Sequence, residues 1–91
     1  MAKALTQKKQ TFRYVNPSAM EVLLAGDFTD WQNGALPMKS NGNGLWSAAV
    51  KINPGTHHYL FIVDGEWCED PECALRIANP YGGLNMVRQV V

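Results

Sequence analysis

The stretch Tyr59-Leu60-Phe61-Ile62-Val63-Asp64-Gly65-Glu66-Trp67 holds the pattern that decides the fold. Asp64-Gly65 between two apolar runs is a strong signal for a two-residue β-hairpin. In that register Val63 faces Glu66, Ile62 faces Trp67 and Phe61 faces Cys68. Cross-strand partners share a face, and so do strand residues two apart. Trp67 is therefore expected beside Leu60 and Ile62. If the alternate residues of the first strand fill the core, this large aromatic lies on the outside of the sheet, where it needs an explanation.

Outward from the hairpin, turn signals recur about every ten residues and no long helical period lies between them. Short runs rich in Val, Ile, Leu, Phe, Tyr and Trp predict strands over 11–15, 22–28, 45–52, 56–63 and 85–91, with a loop from 72 to about 83. This spacing is typical of an all-β sandwich or barrel. A chain of 91 residues is long enough for one domain only, so we expect a flexible tail over 1–10 and one folded domain over 11–91.

Composition and charge exclude several classes of function. Hydrophobic residues make up 46% and charged residues 18%, and the formal net charge is zero. A nucleic-acid binder usually needs a surplus of cations, which is missing here. The N-terminal cations Lys3, Lys8, Lys9 and Arg13 are interpreted as a solvated end.

The sequence also bears on cellular location. No apolar run approaches the roughly 18–20 residues of a membrane span. The first ten residues lack the apolar segment of a secretion signal, so a chain that begins naturally at Met1 is expected in the cytoplasm. In that reducing compartment Cys68 and Cys73 are expected to be free thiols.

Nothing in the sequence favours an enzyme, a metal or a cofactor. No nucleophile elbow, phosphate-binding glycine loop or zinc-binding helix is present. His57 and His58 are neighbours on one predicted strand, so their side chains point to opposite faces and cannot chelate one metal together. Of the three tryptophans, Trp46 is expected in the core and Trp31 on a loop after a strand.

An ordered set of motifs carries a family resemblance. It runs from Val22-Leu23-Leu24-Ala25-Gly26-Asp27-Phe28-Thr29-Asp30-Trp31 through Pro37-Met38, Trp46, Pro54-Gly55, the hairpin and Asp70-Pro71 to Asn85. Over roughly residues 11–91 the chain resembles the family 48 carbohydrate-binding module, also called the isoamylase N-terminal or early set domain. It is similar to the glycogen-binding domain of the AMP-activated protein kinase β subunit and, above all, to small stand-alone bacterial members.

This resemblance implies an immunoglobulin-like β-sandwich of about seven to eight short, mainly antiparallel strands. It also implies non-catalytic binding of α-1,4-linked glucans such as glycogen, starch or malto-oligosaccharides on a shallow surface. In glycogen-binding relatives two tryptophans stack on glucose rings, and Trp31 and Trp67 occupy those positions. Asn85 matches a polar residue that bonds sugar hydroxyls.

Three positions depart from the binding members. Leu60 stands where they commonly carry a lysine, Tyr81 replaces a leucine that enters the glucan helix, and Gly83 replaces a threonine. The resemblance also implies that many relatives fused to amylase-type enzymes use this domain only for packing. A sugar-blind module that docks on a partner protein, such as a glycogen- or starch-metabolising enzyme, therefore stays open as the alternative.

Overall fold

The computed structural model describes residues 6–80 and 82–91. Across this part of the chain there are nine β-strands and one short 3₁₀ turn. The strands are β1 (Lys8–Val15), β2 (Val22–Gly26), β3 (Leu36–Pro37), β4 (Lys39–Ser40), β5 (Leu45–Ile52), β6 (Gly55–Val63), β7 (Glu66–Cys68), β8 (Arg76–Ala78) and β9 (Leu84–Val90), and the 3₁₀ turn covers Trp31–Gly34.

The strands form two sheets, and every pairing is antiparallel. The small sheet has the order β1-β5-β4, and the large sheet has the order β3-β2-β6-β9-β8. Strand β7 also pairs with β6, along residues 61–63, while β9 pairs with residues 55–59 of the same strand. The all-β sandwich predicted from the sequence is confirmed.

The hairpin register is also confirmed. Ile62 lies opposite Trp67, and Val63 lies opposite Glu66. Asp64 and Gly65 occupy the turn with φ of 49° and 86°, the left-handed values that an Asp-Gly turn accommodates. The side chain of Asp64 further fixes the turn, because its Oδ1 accepts the backbone N–H groups of Met20 and Glu21. Trp67 is consequently held on the outer face of the large sheet.

The core lies between the two sheets and is built around aromatic rings. Tyr59 packs edge-on against Phe12 with 4.8 Å between ring centroids, and Phe61 lies 5.0 Å from Tyr14. Edge-to-face geometry at such distances adds to the stabilisation that burial provides. The buried apolar cluster draws on both sheets and on the segment between β3 and β4: Phe12, Val22, Leu24, Met38, Ile52, Tyr59, Leu60, Phe61, Val63, Met86 and Val90.

Several boundaries differ from the prediction. Strand β2 ends at Gly26 and not at residue 28, β6 begins one residue early at Gly55, and the two-residue strands β3 and β4 were not predicted. Strand β1 begins at Lys8, so residues 8–10 belong to the sheet and not to the tail; residues 1–5 lie outside the described residues. The segment predicted as a loop over 72–83 contains β8, and β9 begins at Leu84. Strand β8 is three exposed residues long, too short to show alternation in the sequence.

Trp46, near the start of β5, is half-buried and packs against the core, so the prediction of a core position holds only in part. Its indole Nε1–H donates to the Asn16 carbonyl oxygen at 3.1 Å. This bond gives the indole N–H the partner that a tryptophan needs in a packed site.

Candidate functional site

An open groove of about 960 Å³ crosses the outer face of the large sheet, beside the hairpin. Five of the six residues singled out in the sequence line it: Trp31, Leu60, Trp67, Gly83 and Asn85. They come from four separate parts of the chain, so only the fold brings them together. The sixth, Tyr81, lies outside the described residues.

Trp67 forms one apolar wall of the groove. Trp67 is 47% exposed. The ring stands beside Ile62, its cross-strand partner, which is only 4% exposed. A half-exposed indole leaves apolar surface in contact with water, and this surface suits a ligand that has an apolar face.

Trp31 is presented from the other side by a strained turn. Asp30 and Trp31 both have left-handed backbone angles, with φ of 60° and 53°. Such angles are unfavourable for residues with a side chain and persist only where neighbouring contacts impose them. Trp31 begins the 3₁₀ turn and is half-buried.

The buried hydroxyl of Thr29 provides those contacts. Its Oγ1 accepts the Gly26 N–H at 2.9 Å and lies 3.0 Å from the Gly26 carbonyl oxygen. The same Oγ1 lies 3.1 Å from the carbonyl oxygen of Trp31. One buried hydroxyl thus ties the end of β2 to the backbone that carries the indole.

Gly34 closes this turn by its lack of a side chain. A Cβ at this position would lie 1.8 Å from the carbonyl oxygen of Thr29, so no other residue fits without moving the backbone. The close approach of the two backbone segments fixes where the 3₁₀ turn ends and, with it, where Trp31 sits.

Leu60 forms the apolar floor between the two indoles. It is 9% exposed and belongs to the buried apolar cluster. In β6 it lies between the segment that pairs with β9 and the segment that pairs with β7, where the two partner strands leave the groove open. The expectation that Leu60 and Trp67 share a face is confirmed, but Leu60 is covered more fully than an open shelf would leave it.

Amide side chains form the polar end of the groove. Asn79 Nδ2 donates to Asn85 Oδ1 at 3.1 Å, and Asn79 Oδ1 accepts the Gly83 N–H at 3.1 Å. The backbone N–H of Asn79 also donates to the Gly83 carbonyl oxygen. These bonds hold Asn85 and Gly83 as one unit at the start of β9.

The groove has an uncharged floor and an acidic rim. The described residues that line it include the carboxylates Asp30 and Glu69 but no Lys, Arg or His. Glu69 is paired with Arg76, with 2.7 Å between Oε1 and the guanidinium NH1. An anionic ligand would find no positive charge on these walls.

Several lining residues were not predicted from the sequence: Asp30, Gln32, Asn33, Cys68, Glu69, Asn79, Pro80 and Leu84. Asn79 was missed because β8, which it follows, was taken for a loop. Asp30, Gln32 and Asn33 flank Trp31 in the sequence, so their place beside the site could have been predicted together with that of Trp31. Thr29 and Gly34 carry no sequence signal for their roles, which depend on backbone geometry.

Outside the groove, the buried carboxylate and the buried phenol are hydrogen-bonded to each other. The one buried carboxylate among the described residues, Asp70, accepts the Tyr59 hydroxyl at 2.7 Å and the Glu72 N–H at 3.0 Å. Burial, followed by the bond to Asp70, raises the pKa of Tyr59 far above that of a free tyrosine. In residues 6–80 and 82–91, both cysteines are free, and no three His, Cys, Asp or Glu side chains are grouped as metal ligands.

The comparison with known families concerns nearly the whole chain. A model of the glycogen recognition site of AMP-activated protein kinase matches residues 8–91. The chain belongs to this family. The resemblance read from the motifs is thereby confirmed, and the matched range begins at the first residue of β1. No helix within the described residues has the length and apolar character that a bilayer crossing requires.

The relatives named below are longer than this chain, by very different amounts. Protein PTST homolog 2, chloroplastic, of Arabidopsis thaliana is 46% identical over 54 residues, which are 59% of this chain and 10% of that protein. The 5'-AMP-activated protein kinase subunit beta-1 of Sus scrofa is 34% identical across 97% of this chain and 69% of the relative, and the human subunit is 34% identical across 97% and 31%.

Among solved structures, the chain is similar to apo pullulanase from Paenibacillus barengoltzii. The TM-score is 0.59 at 22% identity, over 98% of this chain and 15% of the pullulanase. At this identity the likeness shows the fold alone. The chain thus spans about a tenth to a third of the length of most of these matched proteins.

Proposed function

We propose that this domain binds α-1,4-linked glucans in the groove, without catalysis. The observation that carries the proposal is the convergence of Trp31, Trp67 and Asn85 around the floor formed by Leu60. A glucose ring has an apolar face and a rim of hydroxyls. The groove offers the matching arrangement, with two indoles on its walls and amide groups at one end.

Each indole contributes by removing apolar surface from water. About 100 Å² of stacked surface at ~25 cal/mol per Å² stabilises the complex by roughly 2–3 kcal/mol per ring. Ordering and association cost several kcal/mol. A net of about −4 to −6 kcal/mol corresponds to dissociation constants from about 1 mM to tens of micromolar. Long polymers that offer many sites strengthen such binding by multivalency.

The polar end supports orientation of the sugar. Because Asn79 donates to Asn85 Oδ1, the Nδ2 group of Asn85 is left to donate to a ligand hydroxyl. The carboxylates of the rim residues Asp30 and Glu69 can accept hydrogen bonds from hydroxyl groups of the sugar. Their charge, with no cation on the lining walls, fits a neutral glucan better than a phosphorylated one.

Hydrolysis is not part of this proposal. The buried carboxylate Asp70 is occupied by Tyr59 and does not line the groove, and Glu69 at the rim is paired with Arg76. A glycosidase needs two carboxyl groups placed on either side of the scissile bond. The cytoplasmic location expected from the sequence stays a prediction, since matched relatives include chloroplastic proteins.

The protein-docking alternative draws on one observation, the apolar Leu60 at the floor of the groove. A floor without a charged donor suits an apolar side chain of a partner, for example a glucan-metabolising enzyme, as well as a sugar.

Native gel electrophoresis distinguishes the two functions. We expect retardation in gels that contain glycogen or amylopectin and normal mobility in gels with dextran, whose linkages differ. A folded protein with equal mobility in all of these gels would contradict glucan binding and favour docking.

A further inference from the structure

The charges of this neutral protein are strongly segregated. The chain has eight Lys and Arg residues and eight Asp and Glu residues. None of the eight carboxylates lies in the small sheet, whose strands are β1, β4 and β5. Those strands carry five cations.

Four of these cations share one face. Arg13 and Lys39 both lie opposite Ser47, on either side of β5, and Lys9 lies opposite Lys51. Because cross-strand partners share a face, all four side chains are on the same side of the small sheet. The inner side is occupied by Phe12, whose ring is buried in the core, so the four cations are on the outer side. We name this surface the basic face: Lys9, Arg13, Lys39 and Lys51, with Thr11, Ser47 and Ala49 between them.

The cations of the basic face form no ion pair with another described residue, although Arg13 also lines a cavity that contains Asp70 and Glu72. All four are exposed, and within the described part of the chain none is paired with a carboxylate. Lys9 and Lys51 stand directly opposite each other, about 5 Å apart at Cβ, an arrangement of like charges that destabilises a sheet. A neutral chain has ample carboxylates to avoid this pairing, so the arrangement calls for a partner that supplies negative charge.

The dimensions of the basic face indicate the form of that partner. Lys9 and Arg13 are four residues apart on one strand, about 13 Å, and the three strands span about 10 Å. Carboxylates at alternate positions of an extended peptide recur about every 6.6 Å, so residues i and i+4 reach both cations. Small side chains between the cations leave the surface flat enough for such a segment.

Other polyanions fit less well. The outer positions of these strands carry no aromatic ring on which bases could stack. The larger apolar side chains at these outer positions, Val15 and Leu45, lie opposite each other at one end of the face, and two such side chains are too few to anchor it in a bilayer. A duplex or membrane surface extends well beyond a face of this size and would meet the carboxylates that occupy the rest of the molecule.

We propose that the basic face is a docking surface for an extended acidic segment of a protein. It lies on the small sheet, opposite to the groove on the large sheet, so glucan and partner can be bound together. The proposal does not depend on the function of the groove.

The test uses the full chain and a synthetic dodecapeptide of alternating Glu and Thr, with a Gln-Thr peptide as the uncharged control. An NMR titration should place the shifted amides in β1, β4 and β5. Binding of the Glu-Thr peptide should weaken about tenfold between about 50 mM and about 300 mM salt, as expected for exposed charges.

A matched pair of variants locates the contact. K9Q/K51Q removes two positive charges from the basic face and should weaken peptide binding at least about fivefold. T56E/Q89E changes the net charge equally at an exposed cross-strand pair of the large sheet, and should change binding less than about twofold. The proposal would be overturned if the two variants changed Glu-Thr peptide binding equally. It would also be overturned if the Gln-Thr peptide bound as tightly as the Glu-Thr peptide. Tighter binding of a single-stranded oligonucleotide or of phosphatidylserine vesicles would overturn it as well.

Discussion

Replacing Thr29 by Val removes one buried hydroxyl and keeps the shape of the side chain. The Gly26 N–H then loses its acceptor inside the protein, and the carbonyl oxygen of Trp31 loses its tie to the end of β2. A buried donor left without a partner costs about 1–3 kcal/mol of unfolding free energy. For a domain of this length that lowers Tm by roughly 4–15 °C.

The same change should weaken glucan binding, because the left-handed angles of Asp30 and Trp31 are no longer imposed. Each of these two residues stores on the order of 1 kcal/mol of backbone strain. In the variant the turn can relax to angles without this strain, and the relaxation moves the Trp31 indole away from its position in the groove. We expect maltoheptaose affinity to fall about three- to tenfold, that is about 0.7–1.4 kcal/mol. Calorimetric titration measures the affinity, and thermal unfolding followed by circular dichroism measures the stability.

Two controls separate positioning from general destabilisation. Thr29→Ser keeps the hydroxyl and should retain affinity, although the lost methyl group lowers Tm slightly. Thr56→Val makes the same exchange at an exposed position of β6 and should alter neither quantity. If Thr29→Val binds maltoheptaose as the parent does, or if Thr29→Ser loses as much affinity, the hydroxyl does not position Trp31.

Three further predictions concern the groove and the core. Trp67→Ala should reduce glucan affinity at least about tenfold with little change in Tm, because the ring is half-exposed. Trp46→Ala should instead cost about 2–4 kcal/mol of unfolding free energy and leave affinity unchanged, because this ring packs against the core. Melting curves and glucan titrations of both variants check this, and the reverse pattern would show that the two tryptophans are assigned to the wrong faces. Leu60→Lys should tighten maltoheptaose binding about two- to tenfold, because the ammonium group adds a charged donor at the floor of the groove. The same change should lower the free energy of unfolding by about 1–3 kcal/mol, because this side chain is buried. Unchanged affinity in the folded variant, measured by titration, would mean that the sugar does not reach the floor. Because the pKa of Tyr59 is raised in the folded protein, the unfolded chain ionises this phenol near pH 10 while the folded chain keeps it protonated. The free energy of unfolding should therefore fall as the pH rises above about 10. Urea unfolding between about pH 8 and pH 11 should show a smaller fall of this free energy for Tyr59→Phe than for the parent, and equal falls would refute the assignment.

The hairpin and its faces were predictable because their determinants are local. Asp64-Gly65 fixes the turn, the turn fixes the register, and the register puts Trp67 on the outer face. Strand β5, which buries alternating residues, was predicted at its observed bounds, and β2 and β6 were predicted within two residues of theirs. These elements depend on side-chain periodicity, which is visible in any sequence.

The rest of the site depends on contacts between distant residues. Strand β8 has three exposed residues and forms only because β9 offers it an edge, so Asn79 had no visible relation to Asn85. The placement of Trp31 depends on a hydroxyl bond and a glycine contact that leave no periodic trace. The burial of Leu60 likewise follows from how β7 and β9 meet along β6.

An NMR titration of the full chain with maltoheptaose tests the central claim most directly, because its three indole N–H signals report on three different environments. Trp31 and Trp67 line the groove, while the Trp46 indole is bonded to Asn16 at the edge of the small sheet. Binding in the groove predicts that the first two signals shift together, with one saturating dissociation constant, and that the third stays in place. Shifts confined to Trp46, or no shift at any indole up to about 10 mM sugar, well above the expected dissociation constant, would contradict it.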